Sequence, residues 1–271
     1  FVTNMILISG NNSRLSLLGK STLSCKYLIL TNGGTLFTWS GPTNSSSPKY
    51  GALIRVRKEM KIFAGSWALA RSDYATGGSV LWSLKNLFIA SGGGFDAEMY
   101  GFRSGNGPGR GGWNGYDGGG SYGGLGADTG AGLLYGSETK PFQPGSGGGA
   151  PYGGEGGGFI NIEASGKVEI NGTINANASG GFETHGDGGS GGAIFIMCNE
   201  LAGNGTLQAK GGNGNNYLGA GGGGGRIAIW RVLDSFSGSV TVAGGTGALG
   251  NGQDGTIYWR FFSRGTQLFI K

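Results

Sequence analysis

The chain has 271 residues, 65 of them glycine, with a hydrophobic fraction of 37% and a formal charge of +5 on only 13% charged residues. That much glycine approaches the low-complexity range, but 14 Phe, 10 Tyr and 6 Trp exclude a disordered polar chain. The scattered bases, densest at Arg55, Arg57, Lys58 and Lys61, alternate with apolar residues as on a strand face and carry no nucleic-acid motif. No run of about 18 apolar residues offers a membrane span.

Residues 1–91 alternate apolar and polar with a period of two, as in Met5–Ile8, Leu15–Leu17, Tyr27–Leu30, Thr35–Phe37, Leu53–Val56, Met60–Ile62 and Leu87–Ile89. Clusters of Gly, Asn and Ser separate these runs, which predicts a series of short strands. Only Ser66 to Ala75 suggests a turn of helix. Residues 92–158 are the densest in glycine, yet aromatics punctuate them at Phe95, Phe102, Trp113, Tyr122 and Tyr135. A flexible linker has few aromatics, so an ordered loop lying on the strands is expected, with a mobile linker between two domains as the alternative.

Residues 159–271 repeat a cassette: paired glycines, an apolar-x-apolar strand, a polar turn and a second short strand. Its first strands open at Ile160, Ile194, Ile227 and Ile257. Stacked in register, the cassettes form one interior ladder of Ile160, Ile194, Ile227 and Ile257 and a second of Ile162, Ile196, Ile229 and Trp259. A fully extended 33-residue turn would have a perimeter of about 110 Å at about 3.3 Å per residue, too wide to fill, so the glycine tracts must leave the wall. The expected fold is all-β: a right-handed parallel β-helix (β-solenoid) with long ordered glycine-rich loops, forming a single domain over 1–271.

The strings Gly189-Ser190-Gly191-Gly192-Ala193-Ile194-Phe195-Ile196 and Gly221 to Gly225 followed by Arg226-Ile227-Ala228-Ile229 resemble glycine-rich parallel β-helix repeats of secreted and cell-surface proteins. The resemblance covers about residues 90–260 and implies an extracellular structural or adhesive role, with no catalytic residues to carry over. The start at Phe1, without Met, reads as a processed product or a piece of a longer chain.

Little chemistry is legible. His185 is the only histidine and stands in a glycine loop, which excludes multi-histidine metal sites. Asp96 and Glu98 are the one carboxylate pair that a polysaccharide-processing enzyme could use, and no partner for them is identifiable. No catalytic, cofactor or metal residues are assigned. Gly250-Asn251-Gly252-Gln253-Asp254-Gly255 distantly resembles a calcium turn without the nine-residue period. Five Asn-x-Ser/Thr sequons, at Asn11, Asn44, Asn171, Asn177 and Asn204, are candidate glycosylation sites, although Asn-Gly is also a turn dipeptide. Cys25 and Cys198 either pair in one disulfide or remain buried thiols. The expected function is an extracellular structural subunit whose partner is itself, assembling into a fibre, sheath or surface appendage. The alternatives are a carbohydrate-binding or adhesive module with glycan partners and, third, the enzyme.

Overall fold

In a computed structural model, residues 2–43, 50–112, 118–149 and 151–263 are described. In chain order the strands are β1 (Val2–Ser9), β2 (Arg14–Gly19), β3 (Thr22–Thr31), β4 (Thr35–Ser40), β5 (Ala52–Ile62), β6 (Trp67–Arg71), β7 (Val80–Ile89) and β8 (Gly94–Asp96). After a long strandless stretch come β9 (Phe159–Ala164), β10 (Lys167–Ile170), β11 (Thr173–Asn175), β12 (Ala193–Met197), β13 (Glu200–Gly203), β14 (Thr206–Gln208), β15 (Arg226–Arg231), β16 (Leu233–Phe236), β17 (Ser239–Thr241) and β18 (Thr256–Phe261). No helix occurs among the described residues.

The strands form two sheets, one of eleven strands and one of seven, and every pairing is parallel. This corrects the expected right-handed β-solenoid: the chain is all-β, but its strands compose two parallel sheets. The physical reason lies in the glycine tracts, which form no strand and so no further wall; they leave the sheets and bond to one another. The helical turn expected at Ser66–Ala75 is also replaced, because Trp67–Arg71 pairs with β4 and β8 as β6. There tertiary pairing outweighs the helix preference of the alanines.

The larger sheet carries two columns side by side. One runs in register from Leu23 through Ile54, Trp82, Ile162, Ile196 and Ile229 to Trp259. The other runs from Ile6 through Leu28, Met60, Leu87, Val168 and Leu201 to Asp234. The smaller sheet carries a third column, from Leu15 through Leu36, Ala68, Phe95, Ile174 and Leu207 to Val240. Residues of all three columns pack into one apolar core, which parallel strands require because both faces of such sheets are usually covered.

Each cassette ends in two glycine-rich arms. An outgoing arm follows the smaller sheet (176–181, 209–214, 242–247) and a return arm leads back to the larger one (186–192, 219–225, 250–255). Along the return arms successive N–H groups turn to different neighbours. Gly188 and Gly191 donate to Ala220 and Gly223 of the next return arm, at 2.8 and 2.9 Å. Gly189 and Gly192 donate to Ser179 and Ala176 of their own outgoing arm, at 3.1 and 2.8 Å. Ser190 donates to Ser146 of the 118–149 stretch, at 2.8 Å. In the following arm Gly221, Gly222 and Gly223 donate to Gly250, Gly212 and Gly120, and the cycle restarts with Gly224. Three residues per turn without internal bonds is the habit of extended polyproline-II chains, here bundled. Glycine is required for proximity: a Cβ on Gly188 would overlap the Gly212 carbonyl, and one on Gly224 the Val242 carbonyl.

Candidate functional site

The outer face of the larger sheet is covered by the chain itself. Phe159, Ala193, Phe195 and Ala228 are buried there beneath Tyr122 and Tyr135 from the strandless stretch. Phe195, which alternation points away from the core, is fully buried, and its ring meets Trp230 edge-on at 5.2 Å. Phe95, Phe102 and Tyr122 are buried, whereas Phe142 and Tyr152 stand exposed; Trp113 lies outside the described residues.

Arg226, at the start of β15, fastens this cover. Its side chain is only 4% exposed and donates from Nη2 to the carbonyls of Tyr122 (3.1 Å) and Tyr135 (3.0 Å), and from Nη1 to Thr256 Oγ1 (3.0 Å). The guanidinium also lies 5.3 Å from the Tyr122 ring centroid. Burial pushes the Tyr122 and Tyr135 phenols well above their ordinary range, so both stay neutral. The Tyr135 hydroxyl donates to the Pro144 carbonyl at 2.6 Å and accepts from Ser146 Oγ at 2.9 Å. Asp187, fully buried in the glycine bundle, accepts from the amides of Gly118 (2.9 Å) and Ala220 (2.8 Å). These polar groups knit the cover to the sheets. None of the three side chains Arg226, Tyr122 or Asp187 opens to solvent.

The carboxylate pair singled out in the sequence makes local structural contacts, one to backbone and one to a side chain. Asp96 Oδ1 accepts the Glu98 amide at 2.9 Å, and Glu98 Oε2 accepts from the Asn175 side chain at 2.8 Å. Burial raises the Asp96 carboxyl above its usual value, and the Glu98 charge adds to the effect. His185 is exposed in the turn between two glycine arms. At the calcium-like turn, Asp254 accepts from the Gly244 amide (3.0 Å) and Asn251 from Gly247 (3.4 Å). Among the described residues no group of three or more His, Cys, Asp or Glu gathers, and no helix is long and apolar enough to cross a membrane.

Cys25 and Cys198 are free, buried thiols. The disulfide alternative is thereby corrected. Strands β5, β7 and β9 separate the strand of Cys25 from the one that Cys198 follows, a distance of about 19 Å at about 4.8 Å per strand, against the roughly 7 Å limit for a bridge. Burial pushes the Cys198 thiol up to about 12.

Among the sequons, Asn11 and Asn204 are exposed. The Asn171 side chain donates to Glu169 at 3.1 Å, and Asn177 accepts the Lys210 amide at 2.7 Å. Asn44 lies outside the described residues.

What remains open is the two ends of the sheets. Ile160, Ile162, Ile194, Ile196, Ile227 and Ile229 are fully buried, but their partners on β18, Ile257 and Trp259, are 41% and 38% exposed, since among the described residues no further strand covers them. Phe261 (62%) and Leu233 (39%) are exposed at the same end, and Met5 (52%), Leu7 (55%) and Leu18 (59%) at the other. Spacing alone placed Ile257 and Trp259 in the interior; among the described residues β18 is the last strand of its sheet, which leaves them exposed. No family model, curated protein or solved structure matches this chain, so the likeness to glycine-rich repeats rests on the motifs alone.

Proposed function

We propose that this chain is an extracellular structural subunit that associates with copies of itself to build a fibre, sheath or surface appendage. One observation carries the reading: among the described residues both parallel sheets finish at both ends in unpaired edges, and apolar side chains stand exposed on those edge strands. Unpaired edges are templates for another chain unless something blunts them. The side chains elsewhere fit a scaffold, since Asp96 and Asp187 accept backbone amides and Arg226 donates to backbone carbonyls. The test is light scattering and electron microscopy of the purified chain across a range of concentration. Growth of elongated assemblies is expected, and particles that stay monomeric at every concentration would end the proposal.

A second reading has its own support. Tyr152, Phe182 and Tyr217 stand exposed at the tips of neighbouring glycine arms, where the Phe182 amide donates to the Tyr152 carbonyl at 3.0 Å. Exposed aromatic side chains suit stacking on sugar rings, as a carbohydrate-binding or adhesive module needs. A glycan array with no ligand, beside assembly in solution, removes this reading.

A further inference from the structure

The three columns are equally long but do not begin and end together. The column of Trp259 starts on β3 and ends on β18. The column of Ile6 starts on β1 and ends on β16, and that of Leu15 starts on β2 and ends on β17. At one end, therefore, β18 stands one strand beyond β16 and β17. At the other, β1 and β2 stand ahead of the first column, overlapping it only at Val2 and Thr3. The two ends carry the same step in opposite sense.

Resting on the self-association proposed above, we infer that the partner is a second copy of this chain joined head to tail, its β1 laid on β16 and its β2 on β17, beside the projecting β18. Parallel strands make the joint simple, because one displacement along the stack extends both sheets. The columns then continue in register. Met5 follows Leu233, since both belong to the row that passes through Tyr27, Glu59 and Glu200. Arg14 likewise follows Ser239, in the row through Thr35 and Thr206. Exposed apolar residues meet, Met5 against Leu233. Leu23 is already buried, so the new contacts fall on the second and third columns and on the flank of β18.

One residue opposes the joint. Asp234 occupies the position of the buried Leu201 and Val168, but on the last strand its side chain keeps 20% exposure, held by Arg231 at 2.6 Å. An inward charge on an edge strand is a known restraint on uncontrolled pairing. In the joint Ile6 covers it, so the Arg231–Asp234 pair makes association reversible and sets how readily it occurs.

The experiment is cysteine cross-linking in the full-length chain, with Arg14→Cys and Ser239→Cys combined and mild oxidation followed by non-reducing electrophoresis. A ladder of covalent multimers is expected from the double variant and from neither single variant, while Cys25 and Cys198 stay buried. Asp234→Leu should lower the concentration needed for assembly by about tenfold, the scale of one edge device removed. Met5→Asp, at an exposed position that the joint sets against Leu233, should abolish assembly without unfolding the chain. Multimers seen by light scattering but not cross-linked through this pair would overturn the joint and leave self-association standing. Dimers from Ser239→Cys alone would mean a symmetric contact and overturn it too. A monomer whose Ser239→Cys thiol is shielded would mean that this edge is already covered, and that also overturns it.

Discussion

The carboxylate of Asp187 accepts the amide of Ala220, which lies 33 residues further along the chain and 2.8 Å away, while its other oxygen takes the amide of Gly118. One side chain thus ties two successive return arms to the strandless stretch. It does so inside a bundle held mostly by backbone hydrogen bonds. Removing it leaves two buried N–H groups unanswered. Asp187→Ala should cost about 2–4 kcal/mol in urea unfolding, and a loss under about 0.5 kcal/mol would show that the bundle does not need it.

The glycines divide into two kinds that alanine substitution separates. Gly188 has no room for a Cβ against the Gly212 carbonyl, and Gly188→Ala should cost about 3 kcal/mol or more or prevent folding. Gly19 has open space around it but a φ of +68°, so Gly19→Ala should cost only about 1 kcal/mol. Equal losses at the two sites, measured by thermal unfolding, would refute the packing account.

Arg226 is predicted to matter for stability through its hydrogen bonds. Arg226→Met keeps the bulk and strands the carbonyls of Tyr122 and Tyr135, for an expected loss of about 2–4 kcal/mol. Arg226→Lys should recover little, because a point charge does not reproduce the fork. Limited proteolysis within 118–149 should quicken in both variants.

Alkaline pH should destabilise the chain through Cys198. Its folded value, about 12, lies above the ordinary 9.0, so the folded state holds a proton that the unfolded state releases. The contribution is complete below about pH 9 and is lost as pH rises towards 12. Cys198→Ala should flatten that part of the stability curve, and thiol reagents should reach Cys198 only on unfolding. A fast-reacting native thiol would contradict its burial.

Asp96 behaves in the same sense at the acid end. Burial raises its folded value above 3.8, so the stability it lends is present below that pH and lost as pH rises through the folded value. Asp96→Asn keeps the oxygen that accepts the Glu98 amide and loses the buried charge. It should therefore match or exceed the parent at pH 7, with the gap closing near pH 4. A clear loss at pH 7 would point to a role for the carboxylate that the backbone contact does not supply.

The apolar alternation of the cassettes is plain in the sequence, and partners such as Ile194 and Ile227 stand 33 residues apart and pair in register. Alternation does not reveal whether successive strands close into a tube or divide into two sheets, and here the expected solenoid gave way to two sheets. The three-residue rhythm of the arms was invisible because it lies in the direction of N–H groups, to which a run of glycines is indifferent. β6 was obscured by Ala68 and Ala70, whose strand state comes from β4 and β8. The step at the ends was hidden for a related reason. Asp234 looks like an ordinary polar residue until its column places it above Leu201.

The rotation of donors along the return arms restricts how such a chain can change in length. Deleting a single residue between Gly219 and Gly225 would swing every later amide a third of a turn, onto a neighbour already supplied. Removing three would restore the phase. Viable insertions and deletions in these tracts should thus come as whole triplets, so their inheritance is quantised by geometry while their composition barely changes.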